Sequence, residues 1–167
     1  LKKNGEFTVN IALIENNIPK LGVIYVPALN TLYYGLSGNG SFKHNIKDIH
    51  TKINYFSDLN KISCNNNTLN LTLVASRSHP SKELDDWLLK YNNYKLLDAG
   101  SSLKFCLVAE GLADAYPRFV GSSEWDIAAG YIILQEAGGI IVDVDNNNLK
   151  FNKQSIRNPF FIASSKL

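Results

Sequence analysis

The chain has 167 residues, 45% of them hydrophobic, which is enough for a domain with a real core. Lys and Arg number 17 against 15 Asp and Glu, and a net charge of +2 excludes the large basic field of a nucleic-acid grip or a membrane-adhering face. No apolar run reaches the roughly 18 residues of a membrane span, and Leu1-Lys2-Lys3-Asn4-Gly5 leads into an alternating pattern where a signal peptide would have an apolar stretch.

In chain order, Glu6 to Glu15 places Phe7, Val9, Ile11 and Leu13 on one face, the period of a strand. Asn16-Asn17 predicts a turn, Leu21 to Val26 a second strand ended by Pro27, and Thr31 to Leu36 a third, together an antiparallel meander. Gly35, Gly38 and Gly40 then predict a turn into Ser41-Phe42. Lys43 to Asn70 is polar and Asn-rich, and reads as loop with a short edge strand.

Beyond it, strands alternate with helices, the pattern of an α/β fold. Thr72–Ala75 predicts a buried strand, and Ser81–Tyr91 an amphipathic helix capped by Ser81 with Leu84, Trp87, Leu88 and Tyr91 on one face. Further strands are predicted over Tyr94–Leu97, Ala113–Tyr116, Ile140–Val142 and Pro159–Ala163, with helices over Ser101–Gly111 and Trp125–Ala137. Cys64 and Cys106 lie far apart with no second cysteine or histidine at metal-binding spacing, so they read as free thiols of a reducing, cytoplasmic compartment. The chain contains no methionine and opens directly on a strand, so we expect it to be a piece of a larger protein.

Three segments carry chemistry. Asp126 stands in the first turn of a helix that is apolar on nearly every face, with small residues at Ala128, Ala129 and Gly130. It reads either as a helix cap, with Trp125 a core aromatic, or as a carboxylate holding a metal ion beside the helix start. In Asp98–Phe119, Lys104 sits inside an apolar helical run and must snorkel outward, pair with a carboxylate or meet an anionic ligand. Ser101 is one turn before it, and the backbone N–H groups of Gly100, Ser101 and Ser102 suit an anion. Arg118, beside Tyr116 and Pro117, reads as a surface arginine or as a ligand contact. In Ala75-Ser76-Arg77-Ser78-His79, two hydroxyls, a guanidinium and an imidazole follow a strand, which suits an anionic ligand, although a lone loop histidine is commonly just solvated.

Trp125, Asp126, Ala128, Ala129, Gly130, Glu136, Ala137, Gly138 and Gly139, in one span, resemble the second motif of the inositol monophosphatase superfamily. The GSSLKFCLVAEGLADAYPRF and ASRSH stretches, with NGEFTVNIALIE and LGVIYVPALNTLYYG, resemble its 3'(2'),5'-bisphosphate nucleotidase branch. The likeness covers nearly the whole chain and is weakest over Lys43–Asn70. It implies an αβαβα sandwich, with residues 1–70 the later strands of a first, incomplete half and 71–167 a C-terminal α/β half. It implies Mg²⁺ as cofactor, with Asp126 as metal ligand and catalytic residue. Ser101, Lys104, Arg118 and His79, together with Asp126, would bind the substrate, adenosine 3',5'-bisphosphate, releasing AMP and phosphate in sulfur metabolism.

The resemblance implies a cytoplasmic protein and allows peripheral association with the cytoplasmic face of the inner membrane. The partners implied are this small molecule and the N-terminal remainder of the same protein, with no nucleic acid. The superfamily's first metal motif, Asp-Pro-Ile/Leu-Asp-Gly-Thr, does not occur in these residues. One carboxylate cannot hold a magnesium cluster, so we expect the chain to be inactive by itself. An inositol monophosphatase and a non-catalytic nucleotide-binding remnant are the alternatives.

Overall fold

A computed structural model describes residues 5–46, 50, 57, 60–65, 70–75 and 81–165. Strands β1 (Val9–Glu15), β2 (Ile18–Val26), β3 (Thr31–Leu36), β4 (Gly40–Asn45) and β5 (Lys61–Ile62) form an antiparallel sheet in chain order. Asn16 and Asn17, both with positive φ (51° and 64°), close the β1–β2 hairpin, as a two-residue turn of that hand requires. The strand entered at Ser41-Phe42 runs further than predicted, to Asn45. Pairing of Leu32 with His44 and of Thr31 with Asn45 carries β4 through polar residues whose alternation gives no strand signal, and β5 is the short edge strand.

The second sheet contains β6 (Leu71–Ala75), β7 (Tyr94–Asp98), β8 (Ala115–Arg118), β9 (Ile140–Asp143) and β10 (Phe161–Ser164), in the order β7-β6-β8-β10-β9. β6 runs parallel to β7 and β8, while β10 is antiparallel to β8 and β9. Helices are α1 (Lys82–Leu88), α2 (Leu103–Ala109) and α3 (Glu124–Glu136). α2 is shorter at both ends than the sequence suggests, because Ser101 takes a left-handed φ of 52° and Gly111 one of 76°.

Alternate residues of the second sheet face opposite layers. Val74, Tyr116, Phe161 and Ala163 join α2 and α3 in one core, whereas Leu71, Leu73, Ala115 and Phe119 meet Trp87 and Leu84 of α1 in another. α3 fills the middle layer: Ile127 through Leu134 are all buried, so its apolar circumference reflects packing on both sides. The outer face of β1 is different, with Val9, Ile11 and Leu13 each about half exposed or more.

The small residues on facing elements permit this burial. A Cβ on Gly22 of β2 would stand 2.4 Å from the carbonyl oxygen of Ala129, and one on Gly130 would stand 2.4 Å from the Phe105 ring. Gly22→Ala is expected to destabilise the fold by about 1–3 kcal/mol, because backbone cannot give way as a side chain can. Chemical denaturation checks this, and an unchanged midpoint would show that the sheet and helix are not locked together there.

Two polar ties hold the first sheet to the middle layer. The Glu136 carboxylate accepts the N–H groups of Gly38 (3.1 Å) and Gly40 (3.0 Å), pinning the β3–β4 turn to the end of α3. Tyr33 donates to Glu110 at 3.0 Å, and Lys43 pairs with the other oxygen of the same carboxylate. Burial, followed by the charge of Glu110, pushes the Tyr33 hydroxyl well above its usual pKa. Cys64 and Cys106 are both free and buried.

Candidate active site

α3 begins at Glu124, one residue earlier than expected, with Ser123 as its N-cap. Asp126 is therefore not the cap but the third helical residue. Its Oδ2 accepts the Ser123 N–H at 2.8 Å, the return half of a capping box. This bond, made by Oδ2, fixes the orientation of an exposed carboxylate. The preceding residue corrects a sequence expectation. Trp125 is not a core aromatic: it is 63% exposed, because the first turn of α3 aims it away from the buried middle layer. With Asn10, Ala12, Ile14, Glu124, Ala128 and Ala129 it walls a groove of about 240 Å³ between β1 and the start of α3.

Glu124 anchors this helix start. Its carboxylate accepts the N–H groups of Asn152 (2.8 Å) and Lys153 (3.1 Å) and pairs with the Lys153 ammonium at 2.6 Å. Burial raises its carboxyl, but the bonds from Lys153 and Asn152 more than offset this and hold it below the usual range.

Lys104 does not snorkel. It is 2% exposed, its ammonium donates to the carbonyls of Ser101 (2.8 Å) and Ala99 (3.3 Å), and it lies 5.1 Å from the centre of the Tyr116 ring. Burial, then the nearby charge of Arg118, brings its pKa down to about 8, with Glu6 partly opposing. Arg118 donates through Nη2 to the Gly121 carbonyl at 3.3 Å, while its buried Nε has no hydrogen-bond partner among the described residues. Tyr116 lies among these charges. Burial pushes its hydroxyl up to about 12, against the pull of Arg118 and with the Asp126 carboxylate adding to the rise.

The fold thus gathers Lys104, Tyr116, Arg118 and Asp126 from α2, β8 and α3. Ser101 meets Lys104 through its carbonyl; its hydroxyl turns to Thr8 at 2.6 Å. The start of α2 offers no serine cap, since the Ser102 hydroxyl donates to Asn10 Oδ1 at 2.6 Å instead. His79, with Ser76, Arg77 and Ser78, lies outside the described residues. Sequence reasoning passed over Thr8, Asn10, Tyr116 and Glu124. The alternation of β1, which puts Asn10 on the face opposite Val9 and Ile11, is the one signal that would have marked a polar residue turned inward.

Among the described residues, no group of three or more His, Cys, Asp or Glu side chains is placed to hold a metal ion. Asp126, exposed and oriented by its cap bond, fits one ligand position of such a site, but these residues do not complete a cage for Mg²⁺.

Residues 1–165 match the inositol monophosphatase family, and the chain belongs to it. Within the family it is similar to the 3'(2'),5'-bisphosphate nucleotidase CysQ of Buchnera aphidicola, with 43% identity over 99% of this chain and 59% of that protein. It is 38% identical to the enzyme of the same name from Escherichia coli strain K12, over 98% of this chain and 62% of that protein. The crystal structure of CysQ from Bacteroides thetaiotaomicron superimposes with a TM-score of 0.89 at 39% identity, covering 99% of this chain and 65% of that one. The chain therefore spans about six-tenths of the length of the curated relatives it matches. No helix among the described residues is long and apolar enough to cross a membrane.

Proposed function

We propose that the protein containing these residues is a magnesium-dependent phosphomonoesterase that removes the 3'-phosphate of adenosine 3',5'-bisphosphate, giving AMP and phosphate. The observation that carries this reading is the pairing of Lys104 with Arg118 around Tyr116, beside an oriented carboxylate at Asp126. Two cations brought close to Tyr116 suit a ligand with more than one negative group, and a half-buried guanidinium whose Nε has no partner among the described residues retains a donor for it. The names of the relatives support the same substrate.

Magnesium, when bound, would activate water and neutralise charge on the phosphoryl oxygens and the leaving oxygen. The chain's own residues supply the rest. Asp126 offers one metal-facing carboxylate; Lys104 and Arg118 bind and orient the anionic groups; Ser101 fixes the position of Lys104 through its carbonyl; His79, four residues beyond β6 in sequence, is assigned a further substrate contact. With a single metal-facing carboxylate, the 167-residue chain alone is expected to be inactive. The buried free thiols Cys64 and Cys106 suit a reducing cytoplasm, and clearance of the by-product of sulfate activation is the role this reading assigns.

The test is phosphate release by the full-length protein with Mg²⁺, offering adenosine 3',5'-bisphosphate and inositol 1-phosphate in turn. Preference for the nucleotide by tenfold or more in kcat/KM is expected, roughly the discrimination that one additional well-placed charged contact provides. Preference for inositol phosphate would overturn the assignment of Lys104 and Arg118 to a nucleotide while leaving Asp126 in place.

A further inference from the structure

Asp126 takes its pose from the backbone of Ser123. The Asp126 N–H donates to the Ser123 carbonyl at 3.0 Å, and the Asp126 carboxylate accepts the Ser123 N–H at 2.8 Å. Ser123 is in turn held by residues 150–158, a segment with no helix or strand of its own. It forms an isolated antiparallel bridge with Arg157. On either side of it, the Asn158 N–H donates to the Ser122 carbonyl and the Glu124 N–H to the Ile156 carbonyl, each at 3.0 Å. Where this segment lies therefore decides where the Asp126 carboxylate points.

The other end of the segment is closed by one ion pair. Glu124 Oε2 accepts the Asn152 N–H at 2.8 Å, while Oε1 accepts both the Lys153 N–H at 3.1 Å and the Lys153 ammonium at 2.6 Å. The ammonium also donates to the Lys150 carbonyl at 2.7 Å, so it ties the segment to itself as well as to α3. Both oxygens of Glu124 are thus engaged and its charge is neutralised, which suits an anchor and not a ligand. Groups behind a metal ligand matter because coordination tolerates errors of only about 0.2 Å, and an exposed carboxylate meets that tolerance only if its support is rigid.

We propose that Glu124 and Lys153 are positioning residues: their ion pair closes the 150–158 segment onto the start of α3, aims the Asp126 carboxylate, and so sets the affinity for a divalent cation that neither side chain touches. This rests on the reading of Asp126 as a metal ligand given above. The roles of pose and of charge predict opposite signs. Removing the Lys153 ammonium takes a positive charge away from a cation site and releases the Glu124 carboxylate, so charge alone would tighten cation binding. Loss of the tie loosens the support of Asp126 and weakens it.

The test uses the full-length protein and titrates Mg²⁺ by calorimetry without substrate, alongside the Mg²⁺ dependence of phosphate release from adenosine 3',5'-bisphosphate. Lys153→Met and Glu124→Gln should each weaken Mg²⁺ binding about tenfold, the usual effect of losing a group that supports a metal ligand. At saturating Mg²⁺, kcat should fall by about threefold or less, since the metal once bound restores the pose. The double variant should also lose about tenfold and not a hundredfold, because both changes break the same tie. Tighter binding in Lys153→Met would show that charge governs the site and would overturn the proposal. Unchanged binding with a lowered melting temperature would show the pair to be structural and would overturn it too, as would multiplied losses in the double variant. Should Lys153→Met not fold, Asn158→Ala, which removes only the 3.2 Å bond to the Ser122 hydroxyl at the far end of the segment, carries the same test. There a loss of about threefold in Mg²⁺ affinity is expected, and an unaltered affinity would sink the idea. If the unmutated protein bound no Mg²⁺, the reading of Asp126 as a metal ligand would itself fall, an outcome visible before any variant is made.

Discussion

Lys104→Met in the full-length protein is expected to stabilise the fold by about 1–2 kcal/mol at pH 7 while raising KM for an anionic substrate roughly 30-fold or more. The two effects have one cause. Burial and the neighbouring Arg118 bring the Lys104 pKa down from 10.5 to about 8, so holding the ammonium charged at neutral pH costs about 3 kcal/mol. Methionine has similar length and no charge to desolvate. It forfeits the bonds to the Ser101 and Ala99 carbonyls, worth about 1 kcal/mol each, so part of the gain is returned.

The pH dependence has a definite sign. Between about 8 and 10.5 the unfolded chain holds the Lys104 proton more tightly than the folded one, so this group's contribution to stability rises with pH across that window and is lost as pH falls through 8. Above pH 8 the folded lysine also loses its charge, and KM should climb in the wild type but stay flat in Lys104→Met. Denaturant melts and Michaelis constants at pH 7 and 9 measure both. A variant less stable than the wild type would mean the ammonium supports the fold; an unchanged KM would remove Lys104 from the site.

The second large effect is expected at Asp126. Asn is as good a partner for the Ser123 N–H as Asp, since its carbonyl oxygen can accept the same 2.8 Å bond. Asp126→Asn should therefore leave the melting temperature of the full-length protein within about 2 °C of wild type, a change well under 1 kcal/mol. Magnesium-dependent phosphate release should fall by two orders of magnitude or more, the several kcal/mol that a metal contributes to stabilising transition-state charge. Asp126→Ala should add about 1 kcal/mol of instability through loss of the capping-box bond to the Ser123 N–H. If Asp126→Asn kept full magnesium-dependent activity, the carboxylate would be only a cap.

Much of the fold was legible because its signals are local. Alternation marked β1, the Asn16-Asn17 pair marked its hairpin, and the apolar circumference of α3 marked a helix covered on both sides. Where a local signal was weak, the expectation drifted. β4 continues through Lys43, His44 and Asn45 because β3 offers backbone partners, and backbone pairing does not require an apolar side chain. The alternative of Trp125 as a core aromatic fails because hydrophobicity says that a side chain prefers burial, while the direction in which it leaves the first turn of α3 is set by how that helix lies against β1 and β2.

The sequence by itself determined the strand and helix types, the residue kinds available for binding an anion, and the family likeness carried by Asp126 and its neighbours, since each depends on spacing along the chain. The tertiary structure alone decided that Lys104 is buried against two carbonyls and an aromatic ring, that Arg118 stands close enough to depress it, and that Thr8 and Asn10 turn their polar groups toward Ser101 and Ser102. Those facts join residues more than ninety positions apart in the chain, as for Thr8 and Ser101. Hydrogen bonds and desolvation depend on distances of a few ångströms, which only the packing of one sheet against the other establishes.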